Sequence, residues 1–399
     1  MTMSQALTRR GLLGGGAALA ATTLLPEAPA ASATEFSGRV RLRLPAPSGR
    51  YPVGTTTLHL VDRSRHDPYL TAQPYRELMV NLTYPARDIA GRPVARWLTP
   101  GWAASVDEVM QNMVPGHPPN VVDWAGTRAH AYVDAPARMT RGGWPVLLLT
   151  VGHWASHCTH RLVIEDLASH GYVVATFDPT YETPVVFPGG RLVPVHDAAA
   201  PPPGAEITDP LFLAYLRNIY SGRFDDAQFV LDELHAIAAG HRSVPDGLPS
   251  ALDLTRIGAL GGGTGAALTG LQLAHEDQRV RAVFAGDDMV SWPTAAGPAP
   301  ILPVVSRGLD RPVLVIRPGT TDVDPLWDGM WRRMRGWHRQ IELPGAGAIW
   351  FTDYQAVLPQ VQRGLDMPAD AYAHWLGSID PAAALAASRT HLPRFFTMD

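Results

Sequence analysis

The sequence predicts a mostly parallel β-sheet with helices on both faces, and three observations carry that prediction. Uninterrupted apolar runs stand at PVLLLTV (145–151) and VLVI (313–316), with a nearly continuous one at YVVATFD (172–178). Strands buried on both faces of a parallel sheet read this way. Stretches of helical period separate such runs through the last two thirds of the chain. A glycine-dominated turn, 261–265, links one short strand directly to a helix.

Taken in order, residues 55–62 (TTTLHLVD) and 77–84 (ELMVNLTY) alternate apolar and polar side chains, as half-buried strands do. Residues 99–134 mix short apolar pieces with Gly116, Pro118 and Pro119, which predicts an irregular or short-helical excursion. After the strand at 145–151 come a turn at Gly152, a helix RLVIEDLASH closed by Gly171, and a strand ending at Asp178: one βαβ unit. A Pro/Gly-rich loop covers 188–204. Phe229, Leu231, Leu234 and Ile237 set a helix at 224–239. A strand at 256–260, the glycine turn, a helix at 266–275, strands at 280–286 and 313–317, and a helix around 327–337 complete the pattern. Trp327, Trp331 and Trp337 read as core packing, and His275 as a surface cation at a helix C-terminus.

Composition narrows the function. With 46% hydrophobic and 18% charged residues, the 399-residue chain is neither disordered nor collagenous. Net charge is −4, and all 33 basic residues are arginines scattered along the chain, so no nucleic-acid partner is implied. A single cysteine, Cys158, excludes an intrachain disulfide and a Cys-based zinc site. Residues 1–33 read as an export signal. Thr8-Arg9-Arg10-Gly11-Leu12-Leu13 resembles a twin-arginine motif, a Gly/Ala-rich apolar stretch runs to Leu25, and small-residue cleavage sites follow at 28–30 and 31–33. The expectation is a secreted, extracytoplasmic protein with a polar leader at 34–50 and a single domain at 51–399. No later segment approaches the ~20 apolar residues of a membrane-spanning helix.

Arg256–Gly270 (RIGALGGGTGAALTG) is the most informative segment. A strand–glycine turn–helix serves two devices. One is the elbow that lifts a serine nucleophile above a sheet, G-x-S-x-G. The other is the dinucleotide fingerprint G-x-G-x-x-G/A, which Gly261, Gly263 and Ala266 satisfy literally, with Asp287 at the end of the next strand.

Several segments decide between them. YPVGTTTLHLVDRSRHDPY (51–69), RELMVNLTYPAR (76–87), WPVLLLT (144–150), LASHGYVVATFDPTYETPVVFPGGR (167–191), RFDDAQFVLDEL (223–234) and PGAGAIWFTDYQAVLP (344–359) stand in an order that resembles the platelet-activating-factor acetylhydrolase type II family, especially its exported bacterial members. The resemblance implies an α/β-hydrolase fold, no cofactor, and short-chain acyl esters of phospholipids as the substrate class. It places the family's serine on Gly263, its acid on Asp287 and its histidine on Ala348, so two of three triad members are replaced. No G-x-S-x-G occurs anywhere else in the chain. Loss of nucleophile or base typically costs on the order of 10⁶ in turnover. The resemblance also implies oxyanion-hole N–H donors at Thr264 and in the loop Gly152-His153-Trp154.

That loop, VGHWASHCTH, carries His153, His157, His160 and Cys158. His153 and His157 are candidates for a new acid/base role, and simple lining of a pocket is the plainer reading. The three histidines also invite a metal reading, but no H-E-x-x-H set accompanies them and no metal is expected. Asp178 and Glu182 read as solvated loop acids, and Cys158 as an inert buried thiol. The expected function is binding, or transformation without an acyl-enzyme, of a small carbonyl-bearing or lipid-like molecule. The alternatives are a rewired carboxylic ester hydrolase using the 153–160 loop, a non-catalytic ligand-binding protein, and a dinucleotide-binding enzyme.

Overall fold

A computed structural model describes residues 39–397 apart from 115–116, 153–154, 263–264 and 321. Strands β1 (Val53–Asp62) and β2 (Arg76–Pro85) form an antiparallel pair. The short β3 (Val94–Arg96) and β4 (Arg128–Val133) add an edge beside β1. Then come β5 (Trp144–Val151), β6 (Val173–Asp178), a hairpin of β7 (Val185–Phe187) and β8 (Arg191–Val193), β9 (Leu252–Gly262) and β10 (Val280–Ala285). A second small hairpin, β11 (Ser291–Trp292) and β12 (Ala299–Pro300), precedes β13 (Val313–Pro318) and β14 (His338–Leu343). The main sheet has ten strands in the order β14-β13-β10-β9-β5-β6-β2-β1-β4-β3. From β14 to β6 every pairing is parallel, and β2 runs against both its neighbours.

Burial explains the apolar runs. Along β5, Val146 and Leu148 join one core cluster while Leu147, Leu149 and Val151 join another on the opposite face. Helices cover both sides: α1 (Pro100–Met113), α2 (Arg161–Ser169), α3 (Pro210–Ala238), α4 (Ala266–Glu276), α5 (Tyr354–Gly364) and α6 (Pro381–Phe396). Leu268 and Leu271 of α4 lie in the first cluster, and Val163, Ile164 and Leu167 of α2 in the second. Among the described residues no helix is long and apolar enough to cross a membrane.

The structure differs from the sequence expectation in three places. Residues 99–134 hold the fourteen-residue helix α1, capped by the Thr99 hydroxyl on Trp102 N, and the strand β4. Helix α3 begins at Pro210, not near 224, because Asp209 caps Leu211 N and Pro210 occupies the first turn, where its missing N–H is harmless. The helix around 327–337 is only Trp327–Trp331, and β14 follows it. Of the three tryptophans, Trp327 is buried, whereas Trp337 is exposed and stacks on Phe395.

Residues 41–50 form an irregular strap. Leu42 and Leu44 are buried, Arg43 exchanges two hydrogen bonds with Gln360 of α5, and Arg389 of α6 donates to Ala46 O.

Candidate active site

The site lies where β9 meets α4. Gly263 and Thr264, the expected nucleophile position and oxyanion donor, are outside the described residues, as are His153 and Trp154. The flanking glycines answer to the protein's own packing. A Cβ on Gly261 would stand 2.5 Å from Ala266 O, and one on Gly262 2.7 Å from Phe351 Cβ. Gly265 has φ +71°, and a Cβ there would come 2.6 Å from Tyr220 Cζ with the hydroxyl nearer still. A dinucleotide turn keeps its glycines bare so that a pyrophosphate can approach. At positions 261, 262 and 265 the protein's own Ala266, Phe351 and Tyr220 occupy the space a side chain would need.

Asp287 follows β10, which pairs with β9. Its Oδ1 accepts from Met289 N at 3.2 Å. Its Oδ2 is fully buried and has no hydrogen-bond partner among the described residues. Burial first, and the neighbouring Asp288 carboxylate second, hold the Asp287 pKa well above the ordinary range. Burial likewise pushes Asp288 up to about 6, with Arg317 pulling the other way. Ala348 is half-buried in the turn after β14. Two residues on, Trp350 Nε1 donates to Gly286 O at 2.8 Å, and Gly286 N donates to Gly261 O at 2.7 Å. The ends of β9 and β10 and the turn bearing Ala348 are therefore stitched together.

The described histidines of the β5–α2 loop turn in different directions. His157 Nδ1 lies 2.9 Å from Asp178 Oδ2, and Arg161 Nη2 stands 3.4 Å from His157 Nε2. Both ring nitrogens thus face polar groups within a buried cluster, Nδ1 lying close to the carboxylate but without hydrogen-bond geometry. Burial works against the Asp178 anion, but the His157 and Ser156 contacts outweigh it and hold its pKa below the ordinary value. His160 is the residue that reaches the elbow strand: its Nε2 is 3.4 Å from Gly262 O, and its ring leans on Phe351. Burial lowers its pKa to about 4, so it is a neutral imidazole at pH 7. Burial also pushes the Cys158 thiol up to about 12, the inert thiol expected.

Asp178 and Glu182 are not solvated acids, which corrects the sequence expectation. They are 3% and 1% exposed and carry several contacts each. Sequence reasoning missed Tyr220 and Trp350, whose roles depend on α3 and the post-β14 turn meeting the elbow. It also passed over Asp353, which accepts from Trp97 Nε1, Arg161 N and Leu162 N at 2.8–3.0 Å and ties the post-β14 segment to the start of α2.

Comparison with a solved structure decides the fold. A ferulic acid esterase from Streptomyces cinnamoneus superposes with a TM-score of 0.65 at 29% sequence identity, covering 89% of this chain and 92% of that one. The chain has the α/β-hydrolase fold. A probable 1-alkyl-2-acetylglycerophosphocholine esterase from Arthroderma benhamiae is 25% identical over 339 residues, 79% of this chain and 77% of the relative. No family model matches the sequence. β9 and α4 flank residues 263–264, where the sequence leads one to expect the elbow, while Asp287 follows β10 and Ala348 follows β14.

Proposed function

We propose that this α/β-hydrolase is of esterase descent and binds a small carbonyl-bearing or lipid-like molecule without serine-dependent hydrolysis. The observation that carries the reading is Asp287, a buried acid in the triad position whose Oδ2 has no partner among the described residues, with Ala348 in the histidine's place. Acyl transfer through a serine needs hydroxyl, base and orienting carboxylate together. With Gly263 and Ala348 only the carboxylate remains. The expected oxyanion donors are backbone N–H groups, which need no particular side chain, so replacing Ser and His does not by itself remove them. The esterase relatives support an ester or its carboxylic product as the ligand class. The twin-arginine pattern at 8–13 supports export as part of the same proposal.

A second reading, ester hydrolysis driven from the 153–160 loop, is favoured by His160, a neutral imidazole against the carbonyl of Gly262. The test is turnover of p-nitrophenyl acetate and butyrate by the native chain, by His160→Ala, and by Gly263→Ser/Ala348→His. A silent native chain that binds p-nitrophenyl butyrate, with turnover appearing in the double variant, supports the proposal. Turnover by the native chain at enzymatic rates that His160→Ala abolishes supports the second reading and refutes the first.

A further inference from the structure

The turn after β6, DPTYE (178–182), is buried throughout, and its two acids hold opposite ends of the β5–α2 loop. At one end Arg223 of α3 donates through Nη1 to Val151 O at 2.9 Å, where β5 finishes. Glu182 fixes that guanidinium, accepting from Nε at 2.8 Å and Nη2 at 2.6 Å, and its other oxygen accepts from Tyr69 Oη at 2.7 Å. At the other end Asp178 accepts the Ser156 hydroxyl on both oxygens at 2.9–3.0 Å and His157 N at 2.8 Å, with His157 Nδ1 beside it.

The turn itself is over-determined. Tyr181 has φ +75°, a left-handed conformation that a residue with a bulky side chain adopts only when its surroundings impose it. Those surroundings are present. Glu182 N and Thr183 N donate to Pro179 O, and His196 N to Tyr181 O. Arg76 donates to Thr180 O at 3.0 Å, and the Thr180 hydroxyl donates to Glu77 O at 2.6 Å. Arg76 is in turn paired with Asp67 and Asp226 in full burial. Strained turns that persist in this way concentrate at functional sites.

We infer that the Asp178–Glu182 turn is a clamp that sets the path of the β5–α2 loop at Val151 and at Ser156–His157, making Asp178, Glu182 and Arg223 positioning residues for the loop that the proposed function turns toward a ligand carbonyl. The inference rests on the proposed function for its ligand, but the clamp itself is a claim about the loop. It sets two regions apart: both ends of the β5–α2 loop are held by buried contacts of Asp178, Glu182 and Arg223, while Asp287 Oδ2 has no partner among the described residues.

Hydrogen exchange on the full chain, followed in peptides spanning 147–160, tests the clamp directly. Arg223→Lys and Asp178→Asn are expected to speed exchange there about tenfold or more, with peptides of β9 and β10 unchanged. Ser156→Ala, which removes only a hydroxyl, keeps the test alive if either variant fails to fold. The catalytic readout uses the Gly263→Ser/Ala348→His background, where Arg223→Lys is expected to lower kcat about 10- to 100-fold with KM nearly constant, because a displaced oxyanion donor is felt in the transition state. Unchanged exchange at 147–160 in every folded variant overturns the clamp, whatever the activity. If the native chain binds no ester and the double variant stays silent, the proposed function falls, and the exchange result still decides the clamp.

Discussion

Gly265→Ala asks whether the elbow glycines serve the protein's own packing. The new methyl meets two penalties. At φ +71° an L-residue sits in the left-handed region, which costs roughly 1–2 kcal/mol. Its Cβ also stands 2.6 Å from Tyr220 Cζ, inside any real contact distance. Tyr220 is fully buried in the larger core cluster, so the ring yields only by displacing its neighbours, an overpacking cost of about 1–3 kcal/mol. Together the loss is ~2–5 kcal/mol, a large part of the roughly 5–15 kcal/mol that holds a domain folded. Urea unfolding followed by tryptophan fluorescence measures it, with the m-value expected to stay constant. Tyr220→Phe in the same background shortens the obstructing side chain, so the double variant should recover about 1–2 kcal/mol relative to the sum of the singles. A single-variant loss below about 1 kcal/mol, or strict additivity in the cycle, would falsify the reasoning and reopen the turn to a ligand.

Other outcomes follow from the charges around the site. Asp287 has a folded pKa above its unfolded one, so its contribution is complete at acid pH and is lost as pH rises; Asp287→Asn should flatten that slope and stabilise the chain by about 1–3 kcal/mol at pH 8, read from melting at pH 5 and 8. His160 behaves oppositely: with a folded pKa of about 4, its contribution is present above pH 6.5 and lost as pH falls through 4, roughly 3 kcal/mol in all, and His160→Gln should remove that dependence from the acid limb of a denaturation series. Asp353→Ala strands three buried N–H donors and should cost roughly 3–6 kcal/mol in urea unfolding; a loss under 1 kcal/mol would show the donors re-pair.

Much of the sheet was legible because parallel strands buried on both faces carry an unmistakable composition. The strand seen at 313–317 is β13 within a residue, and the run at 145–151 is β5 less its first residue. Strand β14 was not legible: HRQIEL is a half-exposed edge strand, and its polar side chains imitate a loop. The first half of α3 was obscured because Phe212, Leu213, Tyr215 and Leu216 are buried in close succession, which blurs the helical period. At the site, the acid Asp287 and the replaced residue Ala348 could be placed from segment order. The burial of Asp178 and Glu182 could not, because their partners Ser156 and Arg223 lie 22 and 41 residues away. Polarity marks a residue as charged and says nothing of whether folding brings it a counter-charge.

The strap at 41–50 has a consequence for the order in which the chain comes together. Ser48 and Gly49 donate to Asp166 and Ser169, 118 and 120 residues downstream, whereas Arg43 and Ala46 pair with Gln360 and Arg389, 317 and 343 residues downstream. A ribosome has supplied the nearer partners by mid-chain, but it finishes almost the whole polypeptide before Arg43 and Ala46 have theirs. The contacts of Arg43 and Ala46 are therefore a closing step, made once α5 and α6 are in place. Truncation within α6 ahead of Arg389 should loosen the strap at Ala46, although that residue lies at the other end of the sequence.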